Sequence, residues 1–106
     1  MKVEPRRHLC PAYQAIQILQ EKWVLHIITT LLGGSRGFNE LGRDIGGCSP
    51  TTLAQRLSQL ESLGLVSKTL QPSLPLRSSY QLTPSGRALQ SVVDAIDSWA
   101  ADYLYS

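Results

Sequence analysis

Phe38-Asn39-Glu40-Leu41-Gly42-Arg43-Asp44-Ile45-Gly46-Gly47-Cys48-Ser49-Pro50-Thr51-Thr52-Leu53-Ala54-Gln55-Arg56-Leu57-Ser58-Gln59-Leu60-Glu61-Ser62-Leu63-Gly64-Leu65 reads as a short helix, a glycine turn and a second helix with sharp ends. Phe38, Leu41 and Ile45 share one face of the first helix,. Gly46-Gly47 breaks it, because glycine enters positive φ without steric cost,. Ser49 suits the cap of the next helix, and Pro50 its first position, where a missing N–H is harmless,. Leu53, Leu57 and Leu60 form a buried stripe. Gly64 fits the left-handed residue beyond the end, with Leu65 folding back on Leu60 in a Schellman closure,. Thr51, Thr52, Gln55, Arg56, Ser58 and Gln59 remain outward, and the acid Glu61 comes only at the far end. A neutral-to-basic, hydrogen-bonding face of this kind is what reading a DNA major groove requires. An ordinary amphipathic helix pair has the same spacing.

The next residues separate the two readings. Residues 65–70 and 78–83 are β-prone, and Pro72 and Pro75 between them oppose regular strand pairing,. Helix, turn, helix and a hairpin with Arg77 near its tip is the order of a winged helix,. Its wing can set Arg77 against a phosphate or in the minor groove.

At 106 residues the chain forms one domain over residues 1–106, near the size where dimerisation helps,. No apolar run approaches the ~18 residues of a membrane span; the longest, residues 23–32, is interrupted by His26, Thr29 and Thr30,. The basic N-terminus lacks an apolar signal core, which places the chain in the cytoplasm,. Cys10 and Cys48 are the only cysteines and form neither a CxxC motif nor a zinc ligand set, so no metal or cofactor is expected,. The net charge is only +2 but unevenly spread. Arg36, Arg43, Arg56, Lys68, Arg77 and Arg87 outnumber Glu40, Asp44 and Glu61, whereas beyond residue 87 the charged residues are Asp94, Asp97 and Asp102. The winged part is positive and the tail, turned away from DNA, negative.

Outside the central pair, residues 11–20 and 22–32 read as helices, the second apolar around most of its circumference and therefore central to the core,. Trp23 is expected in that core, and His26 as an ordinary satisfied histidine. A last helix starts with Thr83 as cap and Pro84 at the first position and runs to about Tyr103,. Leu89, Val92, Val93, Ile96, Trp99 and Tyr103 line one face of this rod. A small winged core covers only part of it, so the exposed remainder calls for a partner.

The ordered motifs resemble the HxlR-type family of bacterial transcription regulators, a branch of the winged helix-turn-helix repressors. They are Cys10-Pro11, Glu21-Lys22-Trp23, Phe38-Asn39-Glu40-Leu41 and the segment Ser49 to Leu57. Leu63-Gly64-Leu65-Val66, Pro75-Leu76-Arg77 and Tyr80-Gln81-Leu82-Thr83-Pro84-Ser85-Gly86 follow in family-like spacing. The resemblance implies a homodimer built from the last and first helices, and a repressor that binds a pseudo-palindromic operator in double-stranded DNA. Family members include regulators that respond to oxidants or electrophiles through a cysteine in the Cys10 position. Thr51 stands where members often carry Lys, which bears on operator preference; Cys48 replaces a common aliphatic, which bears on redox behaviour.

Ser49, Thr51, Thr52, Gln55 and Arg56 are accordingly the expected base readers and nearby phosphate anchors, with Arg77 on the wing and Arg36 and Arg43 against the backbone,. Cys10, at a helix head near Arg6, Arg7 and His8, is set to favour thiolate; with Cys48 it forms the candidate redox pair,. A winged-helix protein-docking module is the competing class, disfavoured by the polar outward face of residues 51–59. A thiol enzyme would need a base placed for Cys10, and His8 and His26 form no such constellation, so no enzymatic activity is expected,.

Overall fold

A computed structural model describes residues 10–72 and 77–105. Helix α1 (Pro11–Leu19) leads to α2 (Val24–Leu32), a two-residue strand β1 (Arg36–Gly37), α3 (Phe38–Ile45) and α4 (Pro50–Ser62). Strands β2 (Val66–Gln71) and β3 (Arg77–Leu82) form the wing, followed by the short α5 (Pro84–Arg87) and by α6 (Gln90–Tyr103). The fold is mainly helical, with a small antiparallel sheet ordered β1-β3-β2.

The helix-turn-helix forms as its sequence dictates. Leu41 is fully buried, with Phe38 and Ile45 packed half-buried beside it, and Gly46 and Gly47 hold φ of 71° and 79°. Ser49 Oγ accepts the Thr52 N–H at 3.1 Å, capping α4,. Leu53, Leu57 and Leu60 are each at most 1% exposed. At the other end, the Gly64 and Leu65 N–H groups donate to Glu61 and Leu60 O, each at 3.0 Å, around a glycine at φ 75°. This is the Schellman pair of bonds, and it satisfies carbonyls the helix end would leave open.

Helix α2 supplies Val24, Ile27, Ile28 and Leu31 to the core, joined by Leu41, Leu53, Leu57, Leu60, Val66, Tyr80 and Leu82. Its start differs from the expected one. Trp23 has φ 77°, alone among the described non-glycine residues, so the helix begins at Val24 and Trp23 packs half-buried against the core. A left-handed conformation costs a residue with a β-carbon about 1–2 kcal/mol, which the surrounding contacts must offset.

Strand pairing reaches from Val66↔Leu82 to Gln71↔Arg77, one residue further at the open end than expected, and Pro72 ends β2. Pro75 and Leu76 lie outside the described residues. Strand β1 was not foreseen: it pairs Arg36↔Tyr80 and Gly37↔Ser79, across more than forty residues of chain.

The C-terminal rod is likewise broken. Leu89 N–H donates to Gly86 O at 3.1 Å, a tightened turn that separates α5 from α6 at a Ser85-Gly86 pair, a recognised cause of kinks,. The break lets Leu89 pack on the core. Beyond it, α6 buries no residue.

Candidate nucleic-acid interface

Thr51, Gln55 and Ser58 stand at successive turns of α4, and all three are exposed,. Their spacing aligns them on one face, opposite the leucine stripe. Ser49 and Thr52 are occupied differently: the Ser49 hydroxyl donates to Thr52 Oγ1 at 3.0 Å while accepting the Thr52 N–H. Both hydroxyls therefore shape the first turn, leaving its outward surface to Thr51.

The four arginines expected at the interface divide into two pairs. Arg36 is a brace: Nε donates to Asp44 Oδ2 at 2.9 Å, and Nη1 to Gly34 O and Ser35 O at 2.7 and 3.1 Å. It ties β1 to the C-terminal turn of α3. Arg56 is turned off the exposed face of α4, with Nε donating to Lys22 O at 3.0 Å and Nη2 lying 3.5 Å from Glu21 Oε2. Arg43 and Arg77, in contrast, are exposed and line one cleft of about 600 Å³ with Gly37, Phe38, Asn39, Glu40 and Ser78.

A second furrow, of about 290 Å³, shares Phe38, Asn39 and Arg43 with that cleft and continues to Cys48 and Pro50. The concave surface thus runs from the wing past the head of α3 to the first turn of α4. Asn39, in the exposed first turn of α3, was missed from sequence. The available signal was a polar residue just inside a helix start, where N–H groups face outward and favour phosphate. The root of the wing is fixed by Gln81 Nε2, which donates to Ser67 Oγ and Thr69 Oγ1, each at 2.9 Å.

Cys10 is the exposed N-cap residue of α1, and Cys48 is half-buried against the core with Sγ 3.6 Å from Ser49 O; no disulfide joins them. Arg6, Arg7 and His8 lie outside the described residues.

On α6, Val92, Ile96, Trp99 and Tyr103 are exposed, with Ile96 and Trp99 at 49% and 55%. Ser91, Val92, Ala95, Ile96 and Trp99 line an open apolar trough of about 480 Å³. Leu89 and Val93, expected on the same strip, are half-buried, and Leu89 packs on the core instead. Ile16 of α1 and Leu104 and Tyr105 after α6 add further exposed apolar surface. No helix among the described residues is long and apolar enough to cross a membrane.

Helix, glycine turn, capped helix and antiparallel wing make this a winged helix-turn-helix protein. Residues 18–106 match the HxlR-like helix-turn-helix family, and the chain belongs to it. The HTH-type transcriptional regulator YvaP of Bacillus subtilis is 35% identical over 97 residues, covering 91% of this chain and 90% of YvaP. A chain from Porphyromonas gingivalis W83 assigned to MarR-family regulators superposes with a TM-score of 0.85 at 31% identity, covering 97% of this chain and 99% of that one. Reduced YodB from B. subtilis gives 0.80 at 34% identity over 89% of this chain and 93% of its own, and YodB is also known in diamide-treated and quinone-bound forms. The chain is a transcriptional regulator of the helix-turn-helix type.

Proposed function

We propose that this regulator binds a pseudo-palindromic operator in double-stranded DNA as a homodimer and represses transcription there. The exposed polar face of α4 carries this reading, because the head of α4 borders a furrow holding Arg43, and Arg43 also lines the adjoining cleft with Arg77. In each subunit Gln55 reads a base edge, an adenine pairing bidentately with its amide, and Thr51 makes a neighbouring contact. Ser49 and Thr52 hold the first turn so that the Thr51 N–H meets a phosphate, while Arg43, Arg77 and the head of α3 follow the backbone,. Arg36 and Arg56 support this surface from behind. The trough on α6 joins the two copies, burying Val92, Ile96, Trp99 and Tyr103 against the partner.

The test is binding to duplexes selected by the protein from a random-sequence pool, measured across a salt series. A dimer neutralising about 6–8 phosphates gives log affinity falling against log salt with a slope of about −5 to −7. Salt-independent binding, or no selected sequence, rules the reading out.

A thiol response is the second element of the proposal, favoured by an exposed cysteine at a helix cap and by likeness to a regulator solved in reduced and diamide-treated states. Oxidant or quinone should change operator affinity in the wild type and leave Cys10→Ser unaffected, with basal binding retained. Equal responses in the two proteins place the signal elsewhere or nowhere.

A further inference from the structure

The corner between α1 and α2 carries a concentration of contacts that the proposed DNA surface does not use. Trp23 sits there at φ 77°, a conformation that a bulky L-residue keeps only where its neighbours enforce it,. The enforcing contacts reach in from the helix-turn-helix. Arg56, in the middle of α4, places Nε on the Lys22 carbonyl and Nη2 beside the Glu21 carboxylate. The Trp23 ring lies against the turn that opens α4, since a β-carbon added at Gly47 would sit 3.6 Å from Trp23 Cη2. His26 meets the indole edge-on at 5.4 Å, and Lys22 Nζ is 5.4 Å from its centroid. The corner therefore grips α4 at two separated points, its leading turn and its middle.

Resting on the DNA-binding reading above, we infer that Arg56 is a positioning residue: with Glu21 and the Lys22 carbonyl it latches α4 to the strained corner, so that α1 sets the angle at which α4 is presented. Three observations support this over direct phosphate contact. Arg56 follows Gln55 by one residue, about 100° around the helix, so it points away from the exposed face. Its side chain is only 22% exposed. A guanidinium fork can hold a carbonyl and a carboxylate together in fixed geometry, which a lysine ammonium cannot. Helix α1 carries the exposed Ile16 and Cys10 at its cap, so displacement of α1 at either point pulls on Lys22 O and thence on α4.

The two roles predict opposite results for Glu21→Gln, a change at a partly exposed acid outside the core. The probe is the duplex most enriched from a random-sequence pool by the wild-type protein, with a scrambled duplex for comparison. A latch predicts that Glu21→Gln lowers the ratio of selected to scrambled affinity several-fold. A phosphate contact predicts tighter binding to both duplexes, because a competing carboxylate charge has gone. Arg56→Lys, which keeps the charge and loses the fork, should match the low ratio of Arg56→Gln if Arg56 positions, and match wild type if it binds phosphate. The salt slope should stay unchanged in Arg56→Gln for a latch and lose about one unit per subunit for a phosphate contact. Glu21→Gln combined with Arg56→Gln should be no worse than Arg56→Gln alone, since both cut one link. If Arg56→Gln does not fold, Glu21→Gln and Arg56→Lys decide the matter. Wild-type protein without salt-steep binding overturns the DNA reading and the latch with it. Normal wild-type binding with a tighter Glu21→Gln overturns the latch alone.

Discussion

Gly86 sits where an added β-carbon would lie 2.1 Å from the Leu65 carbonyl oxygen and 3.1 Å from Leu82 Cδ2. Around it, Thr83 Oγ1 and Ser85 Oγ donate to Gly64 O at 2.6 and 3.0 Å, and Thr83 N–H donates to Leu65 O at 3.0 Å. These bonds stitch the end of α4 to the start of α5, so the obstructing atom is backbone held on both sides. Gly86→Ala should therefore exceed the usual overpacking cost of about 1–3 kcal/mol, read as a drop in thermal midpoint of more than about 10 °C. Gly46→Ala makes a useful contrast: φ is 71° and ψ 134°, a region L-residues rarely enter, but nothing lies within 4 Å, so backbone strain alone, about 1–3 kcal/mol, is expected,. On the proposed DNA surface, Gln55→Ala should relax preference at one base pair per half-site, costing roughly 1–3 kcal/mol at that position. Arg77→Ala should instead weaken all duplexes alike and flatten the salt slope. Identical behaviour of these two variants across sequences would refute the division of roles.

Helix α4 and helix α6 differ in what holds them. The first has its own stripe, cap and Schellman end, and Leu57→Ala should destabilise the fold by about 2–5 kcal/mol in a chemical melt, as deletion of a fully buried side chain does,. The second has no fully buried residue in its own subunit, with Val93 only half-buried. Ile96→Asp or Trp99→Asp should therefore leave the subunit's circular dichroism intact while converting the proposed dimer to a monomer by sedimentation and abolishing tight operator binding. Charge in a desolvated seam costs several kcal/mol, whereas the same charge in the open trough of a single copy costs little. Wild type sedimenting as a concentration-independent monomer would remove the basis for this assignment. At this scale the sequence placed both helices of the helix-turn-helix but missed the start of α2 and the break before α6. In α2 the apolar pattern continues through Trp23, where the backbone is left-handed and contacts from α4 and the glycine turn, distant in sequence, meet the corner. In the rod, Leu89 has the spacing of the exposed strip, yet the kink behind Gly86 delivers it to the core.

For the whole molecule, a dimer of winged heads implies half-sites about one helical turn, 34–36 Å, apart. Inserting about five base pairs between the half-sites should turn the second toward the far side of the duplex and reduce affinity to that of a single half-site. Asp94, Asp97 and Asp102 all lie on α6, whereas Arg43 and Arg77 line the cleft between α3 and the wing, so on the proposed reading charge favours that side over α6 for contact with DNA,.

Local chemistry was enough to specify much of this protein. The caps at Ser49 and Thr83, the positive-φ glycines 46, 47 and 64 and the leucine stripe of α4 each depend on neighbours within a few residues, and all are readable in order along the chain. The wing follows from two β-prone runs around prolines. Long-range contacts decided the rest. Strand β1 exists only because Arg36 and Gly37 meet Tyr80 and Ser79, and the left-handed Trp23 sits where α4 and its leading turn come against the corner. Arg56 looked from spacing like a surface reader, but Lys22 and Glu21, thirty-four and thirty-five positions earlier in the chain, hold its guanidinium. Periodicity states which side of a helix is polar; it does not state which polar groups have found partners inside the fold, because those partners come together only on folding.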